Sequence, residues 1–159
     1  MPDRLLFVCH ANLIRSPLAE NLFRHLAGEA GVADHFEVDS AGVAAGWEGS
    51  APHPAMRRIA QAHGVELRGT SRRVTPADFD RFDMILAMDS DNQAELLRLA
   101  RCDSDRSKVR LLREFDPQEG AGLGVPDPYY EGKDGFERTY QIVERAIRGL
   151  LRALTSQGD

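Results

Sequence analysis

The sequence predicts an α/β fold: one domain on a doubly wound parallel sheet, spanning residues 1–159. Three observations lead there. Leu5-Leu6-Phe7-Val8 and Met84-Ile85-Leu86-Ala87-Met88 are near-continuous apolar runs, as in parallel strands covered on both faces. Stretches with apolar residues every three or four positions separate the short runs. Helices that join parallel strands make right-handed crossovers and pack on both faces of one sheet.

Taken in order, strands are expected at residues 5–9, 36–40, 84–88 and 109–112. Leu18, Leu22, Phe23, Leu26 and Ala27 mark the inner face of a first helix. Met56, Ile59, Ala60 and His63 mark a second. Ala94, Leu97 and Ala100 suggest a third, opened by Asp89-Ser90-Asp91, which is rich in N-cap residues. The last helix has the clearest stripe: Phe136, Tyr140, Val143, Ile147, Leu150 and Leu154. In such sheets ligands bind at the carboxyl ends of the strands, near the switch in strand order.

The chemistry is concentrated at one such end, in Cys9-His10-Ala11-Asn12-Leu13-Ile14-Arg15-Ser16-Pro17. The loop from His10 to Ile14 can curl so that its N–H groups form an anion nest. A helix opening near Ser16 adds its unpaired N–H groups and the positive end of its dipole. Arg15 brings a planar fork that grips two oxygens at once. Pro17 suits a first helical turn. The same field favours a thiolate at Cys9. Because a helix dipole contributes at most about 2 kcal/mol, the nest, Arg15 and the Ser16 hydroxyl must supply the rest. Asn12 is expected in a left-handed conformation, which Asn tolerates better than most residues.

Bulk properties fit a small cytoplasmic enzyme. The chain has 42% hydrophobic and 28% charged residues, ordinary for a globule. No apolar run approaches a membrane span, and Met1-Pro2-Asp3-Arg4 leads straight into a strand without a signal peptide. The two cysteines, Cys9 and Cys102, form no disulfide framework. A net charge of −5 argues against a nucleic-acid partner. Arg72-Arg73 reads as a solvated turn. His10, His25, His35, His53 and His63 show no ligand spacing, so no metal and no cofactor are expected.

The segment from Val8 to Glu20 resembles the phosphate-binding loop of the low-molecular-weight protein tyrosine phosphatases. Val8, Cys9, Asn12, Arg15, Ser16, Pro17, Ala19 and Glu20 match that family's pattern. Ser40-Ala41-Gly42, the stretch from Phe82 to Asp89 with Asn92, and Asp127-Pro128-Tyr129-Tyr130 resemble its later segments. The resemblance implies a four-stranded parallel sheet flanked by helices, a flavodoxin-like arrangement. It also implies hydrolysis of phosphotyrosine, with Asp127 in the general-acid loop, Ser40 bracing Asn12, Leu13 against the substrate ring, and Tyr129 and Tyr130 at the rim. Trp47, in the Gly/Ala-rich segment Ala44 to Gly49, is expected exposed for contact.

Phosphate monoester hydrolysis through a thiol needs a proton for the leaving oxygen, and a carboxylic acid can supply it and then activate water. Asp127 stands between Pro126 and Pro128, which stiffen its presentation. Alone, this would read as a simple turn. The expected reaction has two steps: Cys9 attacks phosphorus while Arg15 and the loop N–H groups hold the equatorial oxygens, then water cleaves the thiophosphate. Ser16 would stabilise the departing thiolate. Phosphate-like oxyanions would compete.

Departures from the pattern matter. Its loop glycine is Ala11 here, strained if φ is positive there. Its second loop cysteine is Ile14, so an oxidised Cys9 lacks the usual partner. A histidine that braces the loop has no counterpart, with Gly69 or Thr70 near its place. Two alternatives stay open: a non-catalytic phosphate- or phosphoprotein-binding module, and a thiol-dependent arsenate reductase of the same fold. The expected partner is a phosphotyrosine protein or aryl phosphate, with no nucleic acid or membrane, and the expected state is a monomer or weak dimer.

Overall fold

The structure is a computed structural model that describes residues 3–118 and 124–156. Met1 and Pro2, which were expected to lead into the first strand, lie outside the described residues. Strands β1 (Arg4–Cys9), β2 (Glu37–Gly42), β3 (Met84–Ala87) and β4 (Val109–Leu111) form one sheet in the order β2-β1-β3-β4. All pairings are parallel. The chain leaves β1 toward β2 and later crosses back to β3, so the switch in strand order lies at the ends of β1 and β3. Helices α1 (Arg15–Glu29), α2 (Pro54–Ala62), α3 (Asp78–Arg81), α4 (Ser90–Leu99), α5 (Asp103–Ser107) and α6 (Lys133–Ser156) complete it.

The pleat of β1 explains its unbroken apolar run. Leu5, Phe7 and Cys9 join one core with Leu18, Leu22, Phe23, Tyr140 and Ile147 from α1 and α6. Leu6 and Val8 point the other way, into a second core with Phe79, Phe82 and Leu96. Every apolar residue expected on the inner faces of α1 and α6 is buried. β2 starts one residue late because the Phe36 N–H donates to Ala33 O and closes the 3₁₀ turn Ala33–His35, while its ring packs on Phe23, 5.0 Å away edge-to-face. It runs on through Gly42, which pairs with Cys9.

Three sequence expectations need correction. In α4 the buried side chains are Asn92 and Leu96, while Ala94 and Leu97 face solvent. A polar residue on the buried face hid the true stripe, and of the three residues expected there only Ala100 packs against the core. His63 follows α2 as its C-cap rather than lying within the helix, with its ring stacked on Tyr140 at 4.1 Å. Arg72 does not sit in a solvated turn: its guanidinium bonds both Asp39 and Asp78, and these hydrogen bonds hold its proton more tightly than usual against the opposing effect of burial.

Candidate active site

β1 ends at Cys9 because the chain there leaves the sheet and curls. Four carbonyls along the loop are held from outside. Cys9 O accepts from Val43 N–H (3.0 Å) and His10 O from Ala44 N–H (2.9 Å). Ala11 O accepts from the Ser71 hydroxyl (2.9 Å) and Leu13 O from His53 N–H (2.8 Å). No peptide among the described residues is cis, and across a trans peptide the next N–H points opposite to the carbonyl. Outward carbonyls therefore turn the N–H groups of His10, Ala11, Asn12 and Ile14 inward. None of these N–H groups donates to an acceptor among the described residues. That is the anion nest expected from the spacing.

The loop can be this tight because β2 ends in glycine. A methyl group on Gly42 would lie 2.7 Å from His10 O and 2.9 Å from the Ala11 carbonyl carbon. Asn12 alone among the described non-glycine residues has positive φ, at 59°. Ala11 sits at negative φ and carries no strain from replacing glycine.

Asn12 organises the interior of the loop. Its Oδ1 accepts from Arg72 N–H at 3.0 Å, which fixes the amide orientation. Its Nδ2 then donates to the hydroxyls of Ser16 (2.8 Å) and Ser40 (3.0 Å). Ser40 passes its own proton toward Glu20 Oε1 at 2.6 Å. Ser16, already accepting from Asn12, has its proton free for Cys9 Sγ at 3.0 Å, with Ala41 O a more distant choice at 3.4 Å. The direction of the chain thus presents a donor to sulfur, which suits a thiolate.

Arg15 opens α1 and is buried, yet its guanidinium reaches the mouth. Its Nη1 donates to Asp89 Oδ2 (2.7 Å) and Val125 O (3.0 Å). Nη2 lies 3.6 Å from Asp127 Oδ2. Asp127 is held in turn: Val125 N–H donates to Met88 O (2.7 Å), the Thr139 hydroxyl to Pro126 O (3.4 Å), and Tyr129 N–H to Asp127 Oδ1 (3.1 Å). Cys9, His10, Ala11, Leu13, Ile14 and Arg15 form the floor of one cavity of about 380 Å³. Trp47, Asp127, Tyr129 and Tyr130 complete its rim. Trp47 packs edge-on to the His10 ring, 5.7 Å between centroids, and stays 38% exposed. Among the described residues no trio of His, Cys, Asp or Glu is placed to hold a metal.

The family model for low molecular weight phosphotyrosine protein phosphatase matches residues 4–159. The chain belongs to that family. A low molecular weight protein-tyrosine-phosphatase of Streptomyces coelicolor is 42% identical over 158 residues, covering 99% of this chain and 96% of its own. The Sus scrofa low molecular weight phosphotyrosine protein phosphatase is 37% identical, covering 92% of each. Among solved structures, a protein tyrosine phosphatase from Entamoeba histolytica with Hepes in its active site superposes with a TM-score of 0.92 at 34% identity, over 99% of both chains. YfkJ from Bacillus subtilis gives 0.91 at 32% identity, over 100% of this chain and 98% of that one. The four-stranded parallel sheet expected from the phosphatase resemblance is the one observed.

The fold brings in residues that sequence reasoning did not place at the site. The sequence marks Asp89 as a helix cap and as part of the family-like stretch after the third strand, but gives it no role at the site. It does cap α4, through Asn92 N–H, but its second oxygen holds Arg15 from 74 positions away. Ser71 and Arg72 brace the loop, where Gly69 or Thr70 was expected to stand. Glu20, matched as a motif residue, ends the Asn12–Ser40 relay. No local pattern marks the site roles of Asp89, Ser71 or Arg72, because each bonds a residue far away in sequence.

Proposed function

We propose that this phosphatase hydrolyses phosphotyrosine and other aryl phosphate monoesters through a cysteinyl-phosphate intermediate. One observation carries the reading: the inward N–H groups, the Arg15 guanidinium and the Asp127 carboxyl converge on one cavity with Cys9 at its floor. In the first step the Cys9 thiolate forms an S–P bond as the P–O(aryl) bond breaks. The nest and Arg15 neutralise the equatorial oxygens, and Asp127 gives its proton to the leaving oxygen. In the second, water attacks phosphorus and gives a proton to Asp127. The S–P bond breaks, and the Ser16 hydroxyl receives the returning thiolate. Leu13, Trp47, Tyr129 and Tyr130 supply apolar walls for a phenyl ring.

The test is release of p-nitrophenol from p-nitrophenyl phosphate by wild type, Cys9→Ser and Asp127→Asn. Turnover is expected to vanish in Cys9→Ser. In Asp127→Asn it should fall by about 10²- to 10⁴-fold, the usual worth of a positioned acid. Reduced wild type that binds vanadate yet releases no p-nitrophenol would overturn the reading and leave a phosphate-binding module.

A further inference from the structure

A second cavity, of about 780 Å³, runs between α2 and the start of α6. It adjoins the mouth: Tyr129 lines both. The shared wall is built from packed rings. The His53 ring lies against Tyr129 (5.9 Å) and Phe136 (5.1 Å), while its N–H anchors Leu13 of the phosphate loop. Buried Ile59 and Phe136 form an apolar floor. Arg58 and Lys133 stand exposed at its edges, and among the described residues neither is ion-paired. Of the acidic side chains there, Glu137 is engaged by His63 and Gln141, both at 2.9 Å, and also feels the Lys133 charge, while Glu131 makes no ion pair among the described residues.

We propose that this groove binds the peptide segment flanking the phosphotyrosine, and selects an apolar residue next to an acidic one. The inference rests on the phosphatase reading. A phosphotyrosine whose ring fills the mouth leaves its main chain at the rim beside Tyr129, so the chain must continue over a neighbouring surface. The groove is the neighbouring concavity, with an apolar floor for one side chain and two cations for a carboxylate. The chain as a whole carries a charge of −5, so local cations must do the attracting.

The experiment compares kcat/KM on matched phosphotyrosine peptides, flanked by Leu and Glu or by Ala and Lys. Wild type is set beside Arg58→Glu/Lys133→Glu. Wild type is expected to prefer the Leu/Glu peptide by about three- to tenfold, the scale of two exposed ion pairs. The double variant is expected to lose or invert that preference. The ratio is taken within one preparation, so a change in active fraction cancels. Equal rates on both peptides, or a ratio untouched by the charge reversals, would overturn the groove assignment while p-nitrophenyl phosphate turnover leaves the phosphatase standing. If neither p-nitrophenyl phosphate nor any peptide is hydrolysed, the phosphatase reading falls and takes this one with it. A dimer in sedimentation velocity that the charge reversals dissociate would assign the groove to a second copy instead.

Discussion

Asn12 shows how much one side chain can hold. Its amide joins Arg72, Ser16 and Ser40, and its backbone occupies the left-handed region that most residues avoid. Asn12→Ala should lose both contributions, whereas Asn12→Gly loses only the amide. Both are expected to lower kcat by up to about 10²-fold, as the Ser16 donor drifts from sulfur. Only Asn12→Ala should add a backbone penalty of roughly 1–2 kcal/mol, read as a lower urea midpoint than Asn12→Gly. Ile14 tests the redox side. It is buried and lines the same cavity as Cys9, where the family pattern carries a second cysteine. Peroxide-treated wild type is expected to recover only partly with dithiothreitol, because sulfenate at Cys9 proceeds to irreversible acids. Ile14→Cys should recover most of its activity. Full recovery of wild type would remove the argument.

Among the elements, α6 is the one most clearly written in sequence, yet its seating depends on a residue outside the stripe. Gly149 passes so close to the 3₁₀ turn Leu112–Phe115 that a methyl group would overlap the Phe115 carbonyl. Asp116, just past that turn, locks the same contact through Arg113 and Arg145. Burial pushes the Asp116 acid up, but Arg145, the Gln118 N–H and Arg113 together outweigh it and hold it below the usual carboxylate range. Gly149→Ala is expected to destabilise the fold by about 1–3 kcal/mol, as overpacking does, seen as a lower urea midpoint at unchanged slope. The α4 face teaches the opposite lesson. Its helix was legible from the Asp89 cap, but its inner side was not, since Asn92 is buried where an apolar residue was sought.

At the scale of the whole molecule, the sheet is tied at its entry edge by Asp83. Partial burial pushes this acid up, but the guanidinium of Arg4 and the N–H groups of Asp3 and Arg4 hold it at about 2. Its folded-state pKa lies below the usual carboxylate value, so its contribution is complete above about pH 4 and is lost as pH falls toward 2. Stability of Asp83→Asn is expected to fall less steeply than wild type between pH 4 and 2 in urea titrations. The sequence by itself determined the parallel sheet, the two-sided β1, the α6 stripe and the loop from Cys9 to Pro17, because each is a local pattern read by period or by adjacency. It also foretold the left-handed Asn12. Only the tertiary structure decided which groups complete the site. Asp89 reaches Arg15, Arg72 orients Asn12, and Gly42 clears the loop, all through crossovers that bring distant segments to the same ends of the strands. Such partners leave no periodic trace, since the contacts they satisfy exist only once the sheet has ordered β2-β1-β3.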